Sequence, residues 1–210
     1  MEYFETVYKR KTIRKYEKSK PPIEDIKKII DSARVAPSAT NSQNWHFIAI
    51  YNDEIKSQMA KAVGETYDKI SAMTDDEEFK KSLAKSKTFS TFFESAPVVI
   101  ACIETKRESA MTEFLKEKGL SYKEILLYRP DSSLLSMGAA IENMSLSAAA
   151  LGYGTCWMCA PIIAYKDFKK ILKLSESDKI VSLLALGKSA YDNQNQPPKK
   201  NLEEIMEIIE

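Results

Sequence analysis

One histidine and three cysteines in 210 residues leave little material for several kinds of chemistry. With His46 as the single imidazole and no G-x-S-x-G segment anywhere, a serine-type triad lacks its parts. His46 stands between Trp45 and Phe47 at the entrance to a predicted strand, so a packing or hydrogen-bonding role at a core edge is expected of it. Cys102, Cys156 and Cys159 are too few and too unevenly spaced for a disulfide framework, which points to a reducing compartment and a cytoplasmic location. Charge of one sign is also missing. Lys and Arg total 31 against 30 Asp and Glu, a net charge of +1, so no field is available to draw in nucleic acid. The longest apolar stretches, around residues 96–103 and 180–186, fall well short of the roughly 20 residues that a membrane span needs. The opening segment MEYFETVYKRKTIRKYEKSK is charged every few residues and does not read as a secretory signal. Gly152-Tyr153-Gly154 lacks the third glycine of a dinucleotide fingerprint. Without repeats, low-complexity tracts or a break in composition, one domain over residues 1–210 is the simplest organisation.

What is present reads as mixed α and β. Hydrophobic residues make up 44% of the chain, enough for a substantial core. Pro21 and Pro22 precede Ile23, Ile26, Ile29, Ile30 and Ala33, whose spacing predicts a helix over 23–34. Residues 46–51 predict a strand closed by Asn52-Asp53, and 54–63 a helix. Residues 64–90 are polar with a loose pattern, although Thr74-Asp75-Asp76-Glu77 can cap a further helix. The β-branched run 96–103 predicts a central strand covered on both faces. Asp131 can cap a long small-residue helix reaching Leu151 and stopped by Gly152. An amphipathic helix over 165–174 and a buried strand over 180–187 follow. After a loop rich in Asn, Gln and Pro, the apolar residues of the tail LEEIMEIIE need cover that a partner subunit could supply.

Three segments carry polar chemistry. Lys9-Arg10-Lys11-Thr12-Ile13-Arg14-Lys15 groups five cations and a hydroxyl, suited to gripping a phosphate or equally to a solvated basic face. The stretch Ala36-Pro37-Ser38-Ala39-Thr40-Asn41-Ser42-Gln43-Asn44-Trp45 is crowded with donors and acceptors between a helix and a strand; it suits the amide-like edge of a heterocycle, and ordinary turn chemistry accounts for the same composition. Cys156-Trp157-Met158-Cys159 is a C-x-x-C, but a zinc site would lack two ligands, and a dithiol site belongs at the start of a helix after the first strand of its fold. No metal is expected.

Together these segments resemble the nitroreductase family. The basic motif R-R-S-x-R-x-F/Y stands here as Arg10-Lys11-Thr12-Ile13-Arg14-Lys15-Tyr16, and A-P-S-x-x-N-x-Q-P-W-x-F as residues 36–47. Ala96-Pro97-Val98-Val99, the long small-residue helix, L-G-Y-G-T-C-W-M and P-P-K-K-N-L-E-E follow in the family's order. The resemblance implies an α+β nitroreductase-like fold, a central, mostly antiparallel sheet flanked by helices, with the C-terminal segment exchanged in a homodimer that binds FMN along its interface. By the same carry-over Arg10, Lys11 and Thr12 hold the FMN phosphate with Lys199 and Lys200, and Arg14 reaches the pyrimidine side of the flavin. Pro37, Ser38, Ala39, Asn41 and Gln43 line the flavin from the opposite subunit. Trp157, Met158, Cys159 and Ala160 match a turn whose backbone N–H groups lie near flavin N5 and O4. The chain departs from the pattern with Lys11 for arginine, Thr12 for serine, Asn44 for proline and Lys199 for arginine; lysine lacks the bidentate fork, so FMN is expected to be held more weakly.

The activity so implied is a ping-pong oxidoreductase that takes electrons from NADH or NADPH and passes them to a small electron-poor acceptor such as a nitroaromatic or quinone. No side chain stands out as a general acid, so no catalytic residue is assigned. Residues 109–129, with Phe114, Tyr122 and Tyr128, either roof the pocket and select the acceptor or pack in the core. Two rival functions are a flavin-binding sensor or storage protein with little turnover and a thiol-disulfide enzyme using Cys156 and Cys159.

Overall fold

A computed structural model describes residues 2–106, 109–191 and 197–210. Four strands, β1 (Trp45–Ile50), β2 (Val98–Glu104), β3 (Gly154–Met158) and β4 (Lys179–Gly187), form one sheet in the order β1-β2-β4-β3. Every neighbouring pair is antiparallel. All seven residues of β2 are buried, because helices cover both faces of the sheet. On one face Val99, Ala101, Ile103, Met158 and Leu183 pack against helix α3 (Asp53–Ser71) and helix α8 (Tyr165–Ile171). On the other, Val98, Ile100, Cys102, Leu184 and Leu186 meet α2 (Ile23–Arg34) and α7 (Ser132–Ala150). Alternation along each strand divides its side chains between these two cores. Among the described residues no helix is long and apolar enough to cross a membrane.

Local chemistry sets the helix limits. Asp76 accepts from the backbone N–H groups of Glu78 and Phe79 to open α4 (Glu77–Thr91). Asp131 accepts from Leu134 N to open α7, and Gly152, at φ +82, closes the turn behind it. Lys56 is fully buried in α3, where its ammonium donates to the Ala96 carbonyl and pairs with Asp53 at 2.8 Å. That pairing lets an apolar layer carry a charge.

Several sequence expectations need correction. The segment around Trp157 and Met158, read as a turn, is strand β3, with Cys159 and Ala160 following it into a short 3-10 turn over Ala160–Ala164. Five residues flanked by glycine are too short for periodicity to separate strand from turn. His46 does not pack at a core edge; it is exposed on edge strand β1. The helix expected over 54–63 runs on to Ser71, since one glycine inside a helical run lowers stability without ending it. Helices α1 (Tyr3–Lys9), α5 (Ala110–Glu117) and α6 (Tyr122–Tyr128) were not anticipated. Phe114, Tyr122 and Tyr128 are exposed and belong to no core. The Asn- and Gln-rich loop after Gly187 lies partly outside the described residues, at 192–196.

Candidate functional site

The basic motif is bound to the outer edge of β3. Ile13 N donates to the Thr155 carbonyl at 2.8 Å, and Thr12 and Thr155 form a parallel bridge. A little further on, Glu17 N reaches the Lys188 carbonyl at 2.9 Å, and the Tyr16 hydroxyl donates to the Ile13 carbonyl at 2.6 Å while also facing that of Ala185. Tyr16 is half-buried, and the desolvation of its hydroxyl raises the phenol well above the usual value. The motif is thereby clamped to the sheet at both ends. Gly154 makes the contact possible, since a Cβ there would lie 2.2 Å from Ile13 Cγ1. The arrangement brings Thr12, Ile13 and Arg14 beside Gly154, Thr155 and Cys156, at least 140 residues away in sequence.

Charge at this edge is partly committed. Arg10 Nε lies 3.4 Å from Glu142 Oε1 on α7. Burial nonetheless holds the Glu142 carboxyl above its ordinary value. A cleft of about 270 Å³ opens beside them, lined by Arg10, Lys11, Ser145, Thr155, Ser189 and Tyr191. Thr12 and Arg14 are exposed, and Arg14 makes no hydrogen bond or ion pair among the described residues. Lys199 and Lys200 are exposed in the tail.

The second polar segment stands elsewhere. It leads into β1, at the opposite edge of the sheet from β3, three strand spacings or about 14 Å away. Thr40, Asn41 and Gln43 have φ of 57, 53 and 45 degrees. Left-handed backbone costs a non-glycine residue roughly 1–2 kcal/mol, most uncomfortably a β-branched one such as Thr40. The loop is held by hydrogen bonds. Ser38 Oγ accepts from Gln43 N at 3.1 Å, and Ser136 Oγ on α7 accepts from Ala39 N at 3.2 Å. Asn44, the departure from the motif's proline, is buried; it bonds Ser42 Oγ at 2.9 Å, Ser133 Oγ at 3.3 Å and the Thr105 carbonyl at 3.4 Å. Pro37, Asn41 and Gln43 are exposed, with Ser38 and Ala39 half-buried.

Trp157 and Cys159 are exposed, while Met158 and Cys156 face the core. The C-x-x-C is therefore split between strand interior and surface. Burial pushes the Cys156 thiol up, and that of Cys102 to about 12. Neither buried sulfur is poised for exchange at neutral pH. A further cleft of about 270 Å³ lies under α5 and α6, with Glu104, Lys116, Arg129, Asp131 and Lys179 in its walls. Arg129 donates to Ser109 Oγ and Tyr122 to Asp131, which tie the two ends of this segment together.

Residues that sequence reasoning passed over are Ser133, Ser136 and Glu142, all on α7. Ser133 and Ser136 share a helical face and Glu142 lies on another, but their partners are at least 89 residues distant and only the fold reveals them.

The fold and motifs place this chain in the nitroreductase family, whose family model matches residues 7–188. An iodotyrosine deiodinase of Nematostella vectensis is 26% identical over 211 residues, covering 98% of this chain and 74% of that protein. A putative NADH dehydrogenase/NAD(P)H nitroreductase of Archaeoglobus fulgidus is 25% identical, over 89% of this chain and 84% of its own length. Among solved structures, a BluB-like flavoprotein from Clostridium difficile 630 is 30% identical with a TM-score of 0.88, covering all of both chains. A nitroreductase with bound FMN from Bacteroides fragilis shares the fold at 20% identity and a TM-score of 0.72, each chain fully covered.

Proposed function

We propose that this chain is an FMN-dependent oxidoreductase that works as a homodimer, taking electrons from NADH or NADPH and delivering them by a ping-pong cycle to a small electron-poor acceptor. The observation that carries the reading is the division of the polar segments between opposite edges of the sheet. Residues 12 and 13 meet Thr155 at the outer edge of β3, while the loop 37–43 leads into β1 and rests on Ser136 of α7. A second copy supplies the missing half. Apolar side chains left in solvent on α1, Tyr3, Phe4 and Tyr8, and in the tail, Ile205, Ile208 and Ile209, give that copy a surface to cover.

The residues present fit the cofactor. Arg10 is paired with Glu142 in a partly exposed ion pair, a weak association that a phosphate dianion can displace. Arg10 and Lys11 line one cleft, and Thr12 adds a hydroxyl beside them. Arg14 supplies a cation for the pyrimidine edge, and the backbone around 158–160 supplies N–H donors. Bound there, FMN contributes two-electron redox chemistry, and the chain's own residues bind, orient and charge-balance it. Lys199 and Lys200 join the phosphate once the tail is laid down by dimer formation. The free thiols at Cys102, Cys156 and Cys159 agree with a reducing, cytoplasmic setting.

Relatives named for deiodination widen the acceptor class to halogenated phenols. The test is steady-state oxidation of NADH and NADPH by the FMN-loaded protein with a quinone, a nitroarene and a halogenated phenol in turn. Acceptor-dependent oxidation that saturates, with parallel double-reciprocal lines, supports the reading. Bound flavin without turnover by any acceptor replaces it with a sensor or storage role.

A further inference from the structure

We propose that the first two turns of α7 act as a template for the loop 38–43, with Ser136 and Asn44 as positioning residues that hold the loop in its left-handed form for the flavin. The inference rests on the FMN reading above. Three residues with positive φ within four positions do not hold such a shape by local preference. Hydrogen bonds within the loop, such as that from Gln43 N to Ser38 Oγ, are joined by others from α7 and Asn44. Ser136 is buried; its hydroxyl donates to the Ser132 carbonyl at 2.6 Å, and its oxygen accepts from Ala39 N at 3.2 Å. With the hydroxyl proton committed to the helix, the Ser136 lone pairs face the loop.

Asn44 fastens the other end. Its Oδ1 accepts from Ser42, and its Nδ2 donates to Ser133 Oγ and to the Thr105 carbonyl. Its own carbonyl accepts from Thr105 N at 3.0 Å. One buried side chain thus joins the loop, α7 and the end of β2. Between these anchors Gln43 N turns inward to Ser38 Oγ, and the side chains of Thr40, Asn41 and Gln43 are left outward. The loop meets a ligand already shaped, so the ordering cost of binding falls.

The test compares wild type with Ser136→Ala and Ser136→Thr, the second restoring the hydroxyl, and adds Asn44→Ala if it folds. Amide hydrogen exchange is read residue by residue in the protein without FMN, and FMN is titrated with its visible circular dichroism recorded. In Ser136→Ala, exchange at Ala39 and Gln43 is expected to speed up at least about tenfold while β2 amides stay protected. The FMN Kd is expected to rise about tenfold, the value of one lost hydrogen bond, with an altered flavin dichroism. Ser136→Thr is expected to restore all three. Uptake of FMN by wild type with Ser136→Ala unchanged in exchange, Kd and dichroism overturns the template alone. Failure of wild type to take up FMN overturns the flavin reading, and the loop's cofactor role with it.

Discussion

Gly154→Ala isolates the contact on which the candidate site is built. A Cβ at residue 154 would lie 2.2 Å from Ile13 Cγ1, 2.7 Å from its Cβ and 3.1 Å from its Cγ2. Carbon atoms settle at roughly 3.5–4.0 Å, so the two segments must part by more than about 1 Å. Rotating the Ile13 side chain does not help, because its Cβ is itself too close. The backbone of residues 12–14 has to move. Ile13 is buried, and overpacking of this kind costs about 1–3 kcal/mol. Loss of the Ile13 N to Thr155 carbonyl bond adds about 1 kcal/mol. The expected destabilisation is therefore about 2–4 kcal/mol, or roughly 4–16 °C in Tm for a chain of this size. FMN affinity should fall with it, as Thr12 and Arg14 ride on the displaced segment. Thermal unfolding and flavin titration measure the two effects. Gly138→Ala is the control: its Cβ would sit 3.6 Å from Trp157, an ordinary contact, and its Tm should stay within a few degrees of wild type. A Gly154→Ala protein with wild-type Tm and wild-type FMN affinity would refute the reasoning.

Thiol labelling of the native protein should modify Cys159 quickly and leave Cys102 and Cys156 slow, all three reacting in denaturant; rapid loss of two thiols would mean that the C-x-x-C is open to solvent. Acid stability should depend on Asp53, whose carboxyl is lowered to about 2 by hydrogen bonds from Lys56 first and then Lys20. Its folded value lies below the ordinary one of about 3.9, so the stabilisation is complete above about pH 4 and fades as pH falls toward 2. Asp53→Asn should flatten that part of the stability profile, and an unchanged acid limb in urea titrations would remove Asp53 from the account. Tyr153→Phe removes the 2.7 Å bond to Asp25 and should cost about 1 kcal/mol in chemical denaturation; an unchanged midpoint would remove that bond from the account.

Much of this architecture was legible in the sequence because its signals are local. The helix 23–34, the caps at Asp76 and Asp131, and the runs that became β2 and β4 rest on periodicity and capping within a few residues. β3 was not legible, since five residues do not establish a period and its pairing with β4 is decided by the rest of the sheet. His46 was misplaced for a related reason: apolar neighbours signal burial only when both strand faces are covered at that point, and edge strand β1 leaves His46 in solvent. Of the site, the motifs revealed which residue types gather. The clamp through Tyr16, the pairing of Arg10 with Glu142 and the support of the 38–43 loop by α7 depend on contacts across the fold.

The central claim is tested most directly by the visible absorption spectrum of the protein after loading with FMN and removal of the excess, alongside the Arg10→Ala/Arg14→Ala double variant. Retention of about one flavin per subunit by wild type, lost in a variant that stays folded, is the expected result. A folded, dimeric wild type that emerges colourless would contradict the account.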